Sequence, residues 1–301
     1  MPIAGLLAAS SIGWPSIFYI FGALAIIWSI AFFYFGADAP SKYRSISPEE
    51  KMYIEESLRT TEAKNDNGVK QKIKVPWKEI FTSKPMWALI IVHSAQDWVF
   101  MTLLTEIPNY ITDVLNFKIK ASGEISALPY LMMWILSFPM SWLSDFALKK
   151  GASRTTIRKI SNTVASCGPA IALACMSVVP ADDYIWAIVI LVLAVGLNAG
   201  NLCGFLINHI DLSPNFAGTM MSITSCIATI CSILAPLLCA VIVTDESSAY
   251  QWDIVFYVLA VISLLSNLVF VIFGKGEVQW WNEPETQRQK QRGKEENETQ
   301  T

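Results

Sequence analysis

Long stretches with almost no charged residues restrict the fold of this sequence more than any other feature. About 20 apolar residues cross the hydrocarbon core of a bilayer as a helix, and lipid offers no hydrogen bonds to an open strand edge. Stretches of that length occur at 17–36, 122–144, 157–179, 184–207, 216–243 and 252–273, and 86–111 joins them once its polar residues are excepted. The pattern predicts an all-α integral membrane protein with seven complete spans.

The composition agrees with a membrane protein and carries no signature of an enzyme. Hydrophobic residues make up 53% of the chain and charged residues 16%, whereas soluble proteins carry about 25% charged residues. The six cysteines all lie in predicted spans without C-x-x-C spacing, so they predict neither a zinc site nor a redox pair. Nucleotide-binding Gly-Lys-Ser/Thr and hydrolase G-x-S-x-G motifs are absent from the sequence. We expect no catalysis, no metal, no cofactor and no nucleic-acid partner.

The distribution of basic residues predicts the orientation. Residues 37–84 hold ten Lys and Arg, 145–159 hold five and 274–294 hold five, whereas the connection at 112–121 holds only Lys118 and Lys120. Basic residues concentrate in cytosolic loops. The central loop and the C-terminus are therefore predicted to be cytosolic, in a multi-pass protein of the plasma membrane or of a vesicle or lysosome.

The order of the spans divides the chain into four regions. Residues 1–36 end with one span, 37–85 form a charged loop, 86–273 hold six spans, and 274–301 form a polar tail. Six spans after a charged loop are typical of the second half of a twelve-span transporter. Residues 1–12 are apolar but reach only about 18 Å as a helix. We expect the chain to be the C-terminal part of a longer protein; the alternative, a signal peptide, lacks its basic n-region.

Five strings carry a resemblance to a known family: "GWPSIFYIFGALAIIW", "PWKEIFTSKPMWALIIVH", "NHIDLSPNFAGTMMSI", "QWDIVFYVLAV" and "GKGEVQWW". Through them the sequence, from residue 1 to about 283, resembles the major-facilitator anion–cation symporters. That family includes sialin, the vesicular glutamate transporters and the sodium–phosphate cotransporters. Within that family, the strings look most like those of invertebrate proteins named as inorganic phosphate cotransporters.

The resemblance implies both a fold and a function. The fold is a major-facilitator C-terminal six-helix half, preceded by the last one and a half helices of the N-terminal half, with the first four spans missing. The function is secondary active transport of inorganic phosphate or another small anion, coupled to Na⁺ or H⁺. Membrane lipid and a partner that supplies the missing helices are then expected. The alternative is a truncated, non-transporting protein that binds or regulates a full-length transporter.

Polar residues in the 86–111 span are the first candidates for a substrate or ion site. Steps of three and four place His93, Gln96 and Asp97 on one helix face, and Glu106 lies farther along. A charge at bilayer depth costs at least about 2.5–3.5 kcal/mol, so these residues are expected to face a cavity. Asp97 or Glu106 would couple transport to an ion, with Gln96 and His93 binding the anion. Alternatively, Asp97 pairs with His93 as structural support, and Glu106 reaches headgroup water near Pro108.

The resemblance sharpens this candidate site. Vesicular glutamate transporters carry arginine at the position matching Gln96, and sialin-like proteins carry asparagine at the position matching Asp97. No Lys or Arg is expected inside any span of this chain. The resemblance therefore implies that cations for an anion site come from the missing helices.

The string "GLNAGNLCG" supplies candidates of two kinds. Gly196, Gly200 and Gly204 are spaced four apart, which lets helix backbones approach closely. Asn198 and Asn201 lie on other faces and are candidates for polar contacts with substrate.

Two cytosolic connections are candidates for an inner gate. The first, "NHIDLSPNFAG", carries Asn208, His209 and Asp211, and its Ser213–Pro214 pair predicts the start of the next helix; a simple capping turn is the alternative. The second, "SWLSDFALKKG", resembles a degenerate form of the family's loop motif, with Ser141 at the position where glycine is expected. It retains Asp145, Lys149 and Lys150, and an ordinary solvated loop is its alternative.

Overall fold

The computed structural model describes residues 2–8, 10–37, 42–43, 46–59, 74–115, 117, 123–179 and 183–283. The tail beyond residue 283 lies outside the described residues, as do Lys118, Lys120 and residues 38–41, 44–45 and 60–73 of the central loop. The described part contains helices, turns and loops and no strand.

The helices are numbered in chain order. They are α1 (Pro2–Ala8), α2 (Pro15–Phe35), α3 (Pro48–Arg59), α4 (Trp77–Thr82), α5 (Lys84–Asp113), α6 (Leu128–Lys149), α7 (Arg154–Met176), α8 (Tyr184–Leu197), α9 (Ile207–Leu212), α10 (Ala217–Ile242) and α11 (Ala249–Phe273). A π-helical segment, Leu202–Leu206, lies between α8 and α9, and a 3₁₀ turn, Trp280–Asn282, follows α11.

In the described part of the chain, six helices are long and apolar enough to cross a membrane. They are Pro15–Phe35, Lys84–Asp113, Gly123–Lys149, Tyr184–Leu212, Ala217–Ile242 and Ala249–Phe273. The predicted all-α membrane architecture is therefore confirmed. The stretch at 157–179 also forms a helix, the 23-residue α7, but its polar first half keeps it outside this apolar set.

The chain divides into two units. One comprises Met1–Gly5 and Val75–Asn282, and the other comprises Leu6–Lys74 and Glu283–Thr301. The second unit contains α2 and α3. Helix α3 begins after a serine cap: the Ser47 hydroxyl accepts a hydrogen bond from the Glu50 backbone N–H at 3.1 Å.

The larger unit holds the six-helix half. Helix α5 packs against α10 and α11, α7 packs against α8 and α11, and α6 packs against α8. The interior of α5, α7, α8 and α11 is apolar toward one end, where Leu103, Ile107, Leu173, Leu191 and Leu259 are buried together. Outside this apolar end, polar residues of the same helices are also buried. These polar residues form the candidate site.

Glycines allow the close packing around α8 and the segment that follows it. A Cβ atom on Gly196 would lie 2.9 Å from Met132 of α6. On Gly204 it would lie 3.1 Å from the Asn162 backbone of α7. Gly196 and Gly204 therefore allow close contact with two different helices, α6 and α7. Gly204 also has non-helical backbone angles (φ −89°, ψ −116°), so the span predicted as one regular helix bends here.

Substitution of Gly200 by alanine is expected to destabilise the protein by about 1–3 kcal/mol. The added Cβ would lie 2.7 Å from the Ser161 carbonyl oxygen and 3.1 Å from the Ala165 Cβ, so backbone atoms must move. Gly218→Ala is the control, because a Cβ there meets no atom within 4 Å. Thermal unfolding of the purified variants in detergent measures the effect. Equal unfolding temperatures for the two variants would contradict close packing at Gly200.

Candidate functional site

A buried side-chain network centred on Gln96 connects three elements of the larger unit. The Gln96 amide nitrogen donates to the Ser166 hydroxyl of α7 at 2.7 Å. The Gln96 oxygen accepts from the Asn201 amide at 3.2 Å. The same Asn201 nitrogen lies 3.2 Å from the Asn198 oxygen, and Asn198 donates to the Ala194 carbonyl at 3.0 Å. The structure thus brings together three predicted candidates, Gln96, Asn198 and Asn201.

A second buried network joins both histidines of the chain. His93 Nδ1 lies 3.0 Å from the Thr224 hydroxyl of α10, and His209 Nε2 lies 2.9 Å from the same hydroxyl. His209 Nδ1 also contacts the Leu206 carbonyl at 3.0 Å. His93 is one helical turn from Gln96 on α5, so the two networks are adjacent.

The two acidic candidates of α5 differ in their partners. The Glu106 carboxylate accepts from the Thr105 hydroxyl and from the Asn109 amide, each at 3.1 Å. Asp97 is half-buried, and within the described part of the chain its carboxylate has neither a hydrogen-bond nor an ion-pair partner. His93 bonds to Thr224 and does not pair with Asp97, so the supporting pair considered as an alternative does not form.

A buried ion pair on the cytosolic side of the predicted topology was not foreseen. The Arg158 guanidinium donates to the Asp211 carboxylate at 2.6 Å and to the Cys203 carbonyl at 3.0 Å. Arg154 approaches the same carboxylate at 3.7 Å from a more exposed position. The expectation that no basic residue lies in a span overlooked Arg158, which falls in the predicted stretch 157–179, is the fifth residue of α7 and is 6% exposed. The spacing of Arg154 and Arg158 on one helix face was the available signal.

The loop candidates around Asp145 are on the surface. Asp145, Lys149 and Lys150 are all exposed, and no described residue forms an ion pair with Asp145. The Lys150 ammonium lies 4.7 Å from the centre of the Phe146 ring. Ser141, at the place of the family glycine, contacts the Cys203 sulfur at 3.4 Å.

The turn after α9 differs from its predicted structure. Ser213 was expected to cap the next helix, but α10 begins at Ala217 without a side-chain cap. Ser213 instead donates its hydroxyl to the Asn282 side-chain oxygen at 2.7 Å. The prediction is wrong because a long-range hydrogen bond, which local sequence does not reveal, occupies the serine. Asn208, just upstream, is fully buried, and its side-chain atoms have no partner in the described structure.

The segment 274–282, which we call the C-terminal strap, covers this turn. The Gln279 N–H donates to the Leu212 carbonyl at 2.8 Å, and the Gly276 N–H donates to the Thr155 hydroxyl at 2.8 Å. Asn282 accepts from the Asn215 N–H at 3.1 Å. The strap therefore connects the first turn of α7 with the turn between α9 and α10.

Comparison with known proteins identifies the family. The model of the Major Facilitator Superfamily matches residues 1–236. The chain belongs to the Major Facilitator Superfamily. Within this superfamily it is 40% identical over 295 residues to a Drosophila melanogaster protein named "Putative inorganic phosphate cotransporter", covering 96% of this chain and 54% of the relative.

Two further relatives belong to the groups expected from the sequence. The chain is 32% identical to human sialin, over 93% of its own length and 55% of the relative. It is 34% identical to bovine vesicular glutamate transporter 2, over 95% of its own length and 48% of the relative. The resemblance to this group of major-facilitator proteins is confirmed. The chain spans about half the length of the curated relatives it matches.

Proposed function

We propose that this chain acts in secondary active transport of inorganic phosphate or an organic anion, coupled to H⁺ or Na⁺. One observation carries the proposal: the buried Gln96 network connects three elements of a six-helix major-facilitator half. Burial of polar residues at membrane depth is unfavourable in free energy, and such residues typically mark substrate or ion pathways. The relatives carry names that refer to the transport of inorganic phosphate and of glutamate, which supports the same substrate class.

The Gln96 network is suited to anion binding in its chemistry. Amide nitrogens and a serine hydroxyl can donate to phosphate or carboxylate oxygens without carrying a permanent charge. Arg158 adds no net charge to the interior, because Asp211 neutralises it. The proposed site therefore needs positive charge from elsewhere. A partner that supplies the remaining helices would provide it, and the two halves would alternate access to the site.

The proposed orientation places the central loop and the C-terminus in the cytosol. Asp97 is the proposed coupling carboxylate. It is half-buried, lies one turn from His93, and has no partner in the described part of the chain. A carboxylate in that state can bind H⁺ or Na⁺ without first breaking a protein contact. Glu106 would have to release Thr105 and Asn109.

Uptake into liposomes tests the function and the coupling residue together. The chain is reconstituted alone and, in a second arm, together with a polypeptide carrying the N-terminal half of a full-length relative. Radiolabelled phosphate or sialate is then offered under an inward H⁺ or Na⁺ gradient. Wild type is expected to accumulate anion, and Asp97→Asn is expected to lower gradient-driven uptake at least about tenfold, an energy of roughly 1.4 kcal/mol.

Glu106→Gln is the matched control on the same helix and is expected to retain most of the uptake. Unchanged gradient-driven uptake in Asp97→Asn would remove Asp97 from coupling. Absence of uptake in both arms would contradict transport and favour the non-transporting regulator.

A further inference from the structure

Both histidines of this chain meet at one hydroxyl group. The sequence contains only two histidines, and they come from α5 and α9, more than a hundred residues apart. Each is buried, with exposed fractions of 4% for His93 and 1% for His209. Thr224 lies between them, 3.0 Å from one ring nitrogen and 2.9 Å from the other.

The hydrogen-bond partners fix where the protons are when both rings are neutral. The Leu206 carbonyl can only accept, so His209 Nδ1 carries a proton and donates it. The other nitrogen of a neutral His209 is then an acceptor, and the Thr224 hydroxyl must donate to it. His93 Nδ1 in turn donates to the Thr224 oxygen. When both rings are neutral, the hydrogen bonds of this network therefore all run in one direction, from His93 through Thr224 to His209.

The structure also provides for one additional proton. The Thr224 hydroxyl has a second acceptor, the Met221 carbonyl, at 3.1 Å. If the hydroxyl rotates and donates its proton to this carbonyl, the threonine oxygen can accept hydrogen bonds from both histidines at once. His209 then carries protons on both nitrogens, and each N–H keeps an acceptor. Without this second acceptor, a protonated His209 would face the hydroxyl proton.

We propose that His93, Thr224 and His209 form a binding site for one proton, which His209 carries while the threonine hydroxyl accepts a hydrogen bond from each ring. The proton comes from a hydronium ion, forms an N–H bond on His209 Nε2, and leaves a water molecule. The charge of the cluster rises from zero to plus one. Reversal of the hydroxyl bond is the only rearrangement of the protein that this step requires.

The charged surroundings leave this added charge without a fixed partner. Asp97 lies one turn beyond His93 on α5. Asp211, two residues after His209, is already bonded to Arg158. Helix α10 carries no Asp, Glu, Lys or Arg, and Asp253, the fifth residue of α11, is the one such residue of that helix. The proton on the histidine pair is therefore a positive charge adjacent to the Gln96 network that no carboxylate in a fixed ion pair neutralises, unlike that of Arg158.

The proton site gives the proposed transport a coupling ion. An anion at the Gln96 network would favour the protonated pair one turn away, and the protonated pair would favour the anion, by reciprocal linkage. This use rests on the proposed function, whereas the binding of the proton does not. The histidine pair supplies positive charge only when protonated, so anion and proton would bind together.

Histidine NMR tests the site directly, because the chain has only two such residues. The protein, labelled with ¹⁵N-histidine, is placed in phosphatidylcholine nanodiscs and titrated from about pH 8 to about pH 4, the range in which histidines titrate. In wild type, the ring nitrogens of both histidines are expected to shift in one common transition. Thr224→Ser is expected to retain it, and Thr224→Val is expected to separate it into two transitions.

Other outcomes would overturn the proposal. Ring signals that stay constant over this range exclude a proton site, and a common transition in Thr224→Val excludes coupling of the two rings through the hydroxyl. His93→Gln provides a second measurement if the valine variant does not fold: the His209 transition is expected to move by about one pH unit, as for strongly coupled groups, and an unmoved transition contradicts coupling. A shared transition in a protein that transports no anion would leave the proton site intact and contradict only the proposed function.

Discussion

Replacement of Arg158 by methionine is expected to destabilise the protein by about 3–5 kcal/mol, because Asp211 would remain buried without its closest partner. The two side chains are 7% and 6% exposed and are joined at 2.6 Å. The variant also removes the donor to the Cys203 carbonyl, which lies in the bent π-helical segment. The temperature of unfolding and the monodisperse fraction on size exclusion, both in detergent, measure the loss.

Arg154→Met is the matched control for this prediction. Arg154 contacts the same carboxylate at 3.7 Å, but its side chain is 62% exposed, and exposed ion pairs contribute about 0–1 kcal/mol. The double variant Arg158→Met with Asp211→Leu should recover part of the stability, because no charge is then left unpaired. Equal effects of the two arginine substitutions would show that Arg158 does not hold α9 against α7.

The helices could be predicted from the sequence because lipid imposes a length and an apolar composition on each span. The expected span 86–111 is observed as Lys84–Asp113, and 216–243 as Ala217–Ile242. The same criterion explains the error at Arg158. A basic residue near a span end was counted with the loop, although a buried carboxylate from another helix allows it to lie inside.

The arrangement of the candidate site could be predicted only in part. Periodicity placed His93 and Gln96 on one face of α5, and both are buried. Their partners Ser166 and Thr224 come from other helices, and no local pattern distinguishes these hydroxyls from the many others in the spans. Helix α8 was expected to continue regularly, but the bend at Gly204 changes which faces of the following residues point inward.

The C-terminal strap was also beyond sequence reasoning, although its string was recognised as specific to the family. The occurrence of "GKGEVQWW" among the strings typical of the family indicates that this segment has a role, but it does not indicate which residues the segment contacts. Its glycines explain part of the answer, because a Cβ on Gly276 would lie 2.6 Å from the Thr155 backbone nitrogen. The strap therefore packs directly against the first turn of α7, where a larger residue would not fit.

Substitution of Asn282 by alanine is expected to release the strap from the turn after α9. The Asn282 side chain is the acceptor for the Ser213 hydroxyl and the Asn215 N–H, and Asn282 itself is 5% exposed. Each buried donor left without an acceptor costs about 1–3 kcal/mol. Because 1.4 kcal/mol corresponds to a factor of ten in an equilibrium constant, the open state of the strap should become at least about tenfold more populated.

Trypsin cleavage after Lys275 reports this opening, since proteolysis of a transiently open segment follows its population. Lys275 is exposed but flanked by the buried Gly274 and Gly276, so cleavage requires the strap to leave its position. Glu277→Gln is the control, because this side chain is exposed within the same segment. Cleavage in Asn282→Ala at the rate of the control would show that the backbone bonds at Gly276 and Gln279 are sufficient to hold the strap. An accelerated rate would assign the docking to the asparagine, and through Ser213 to the turn that carries His209 and Asp211.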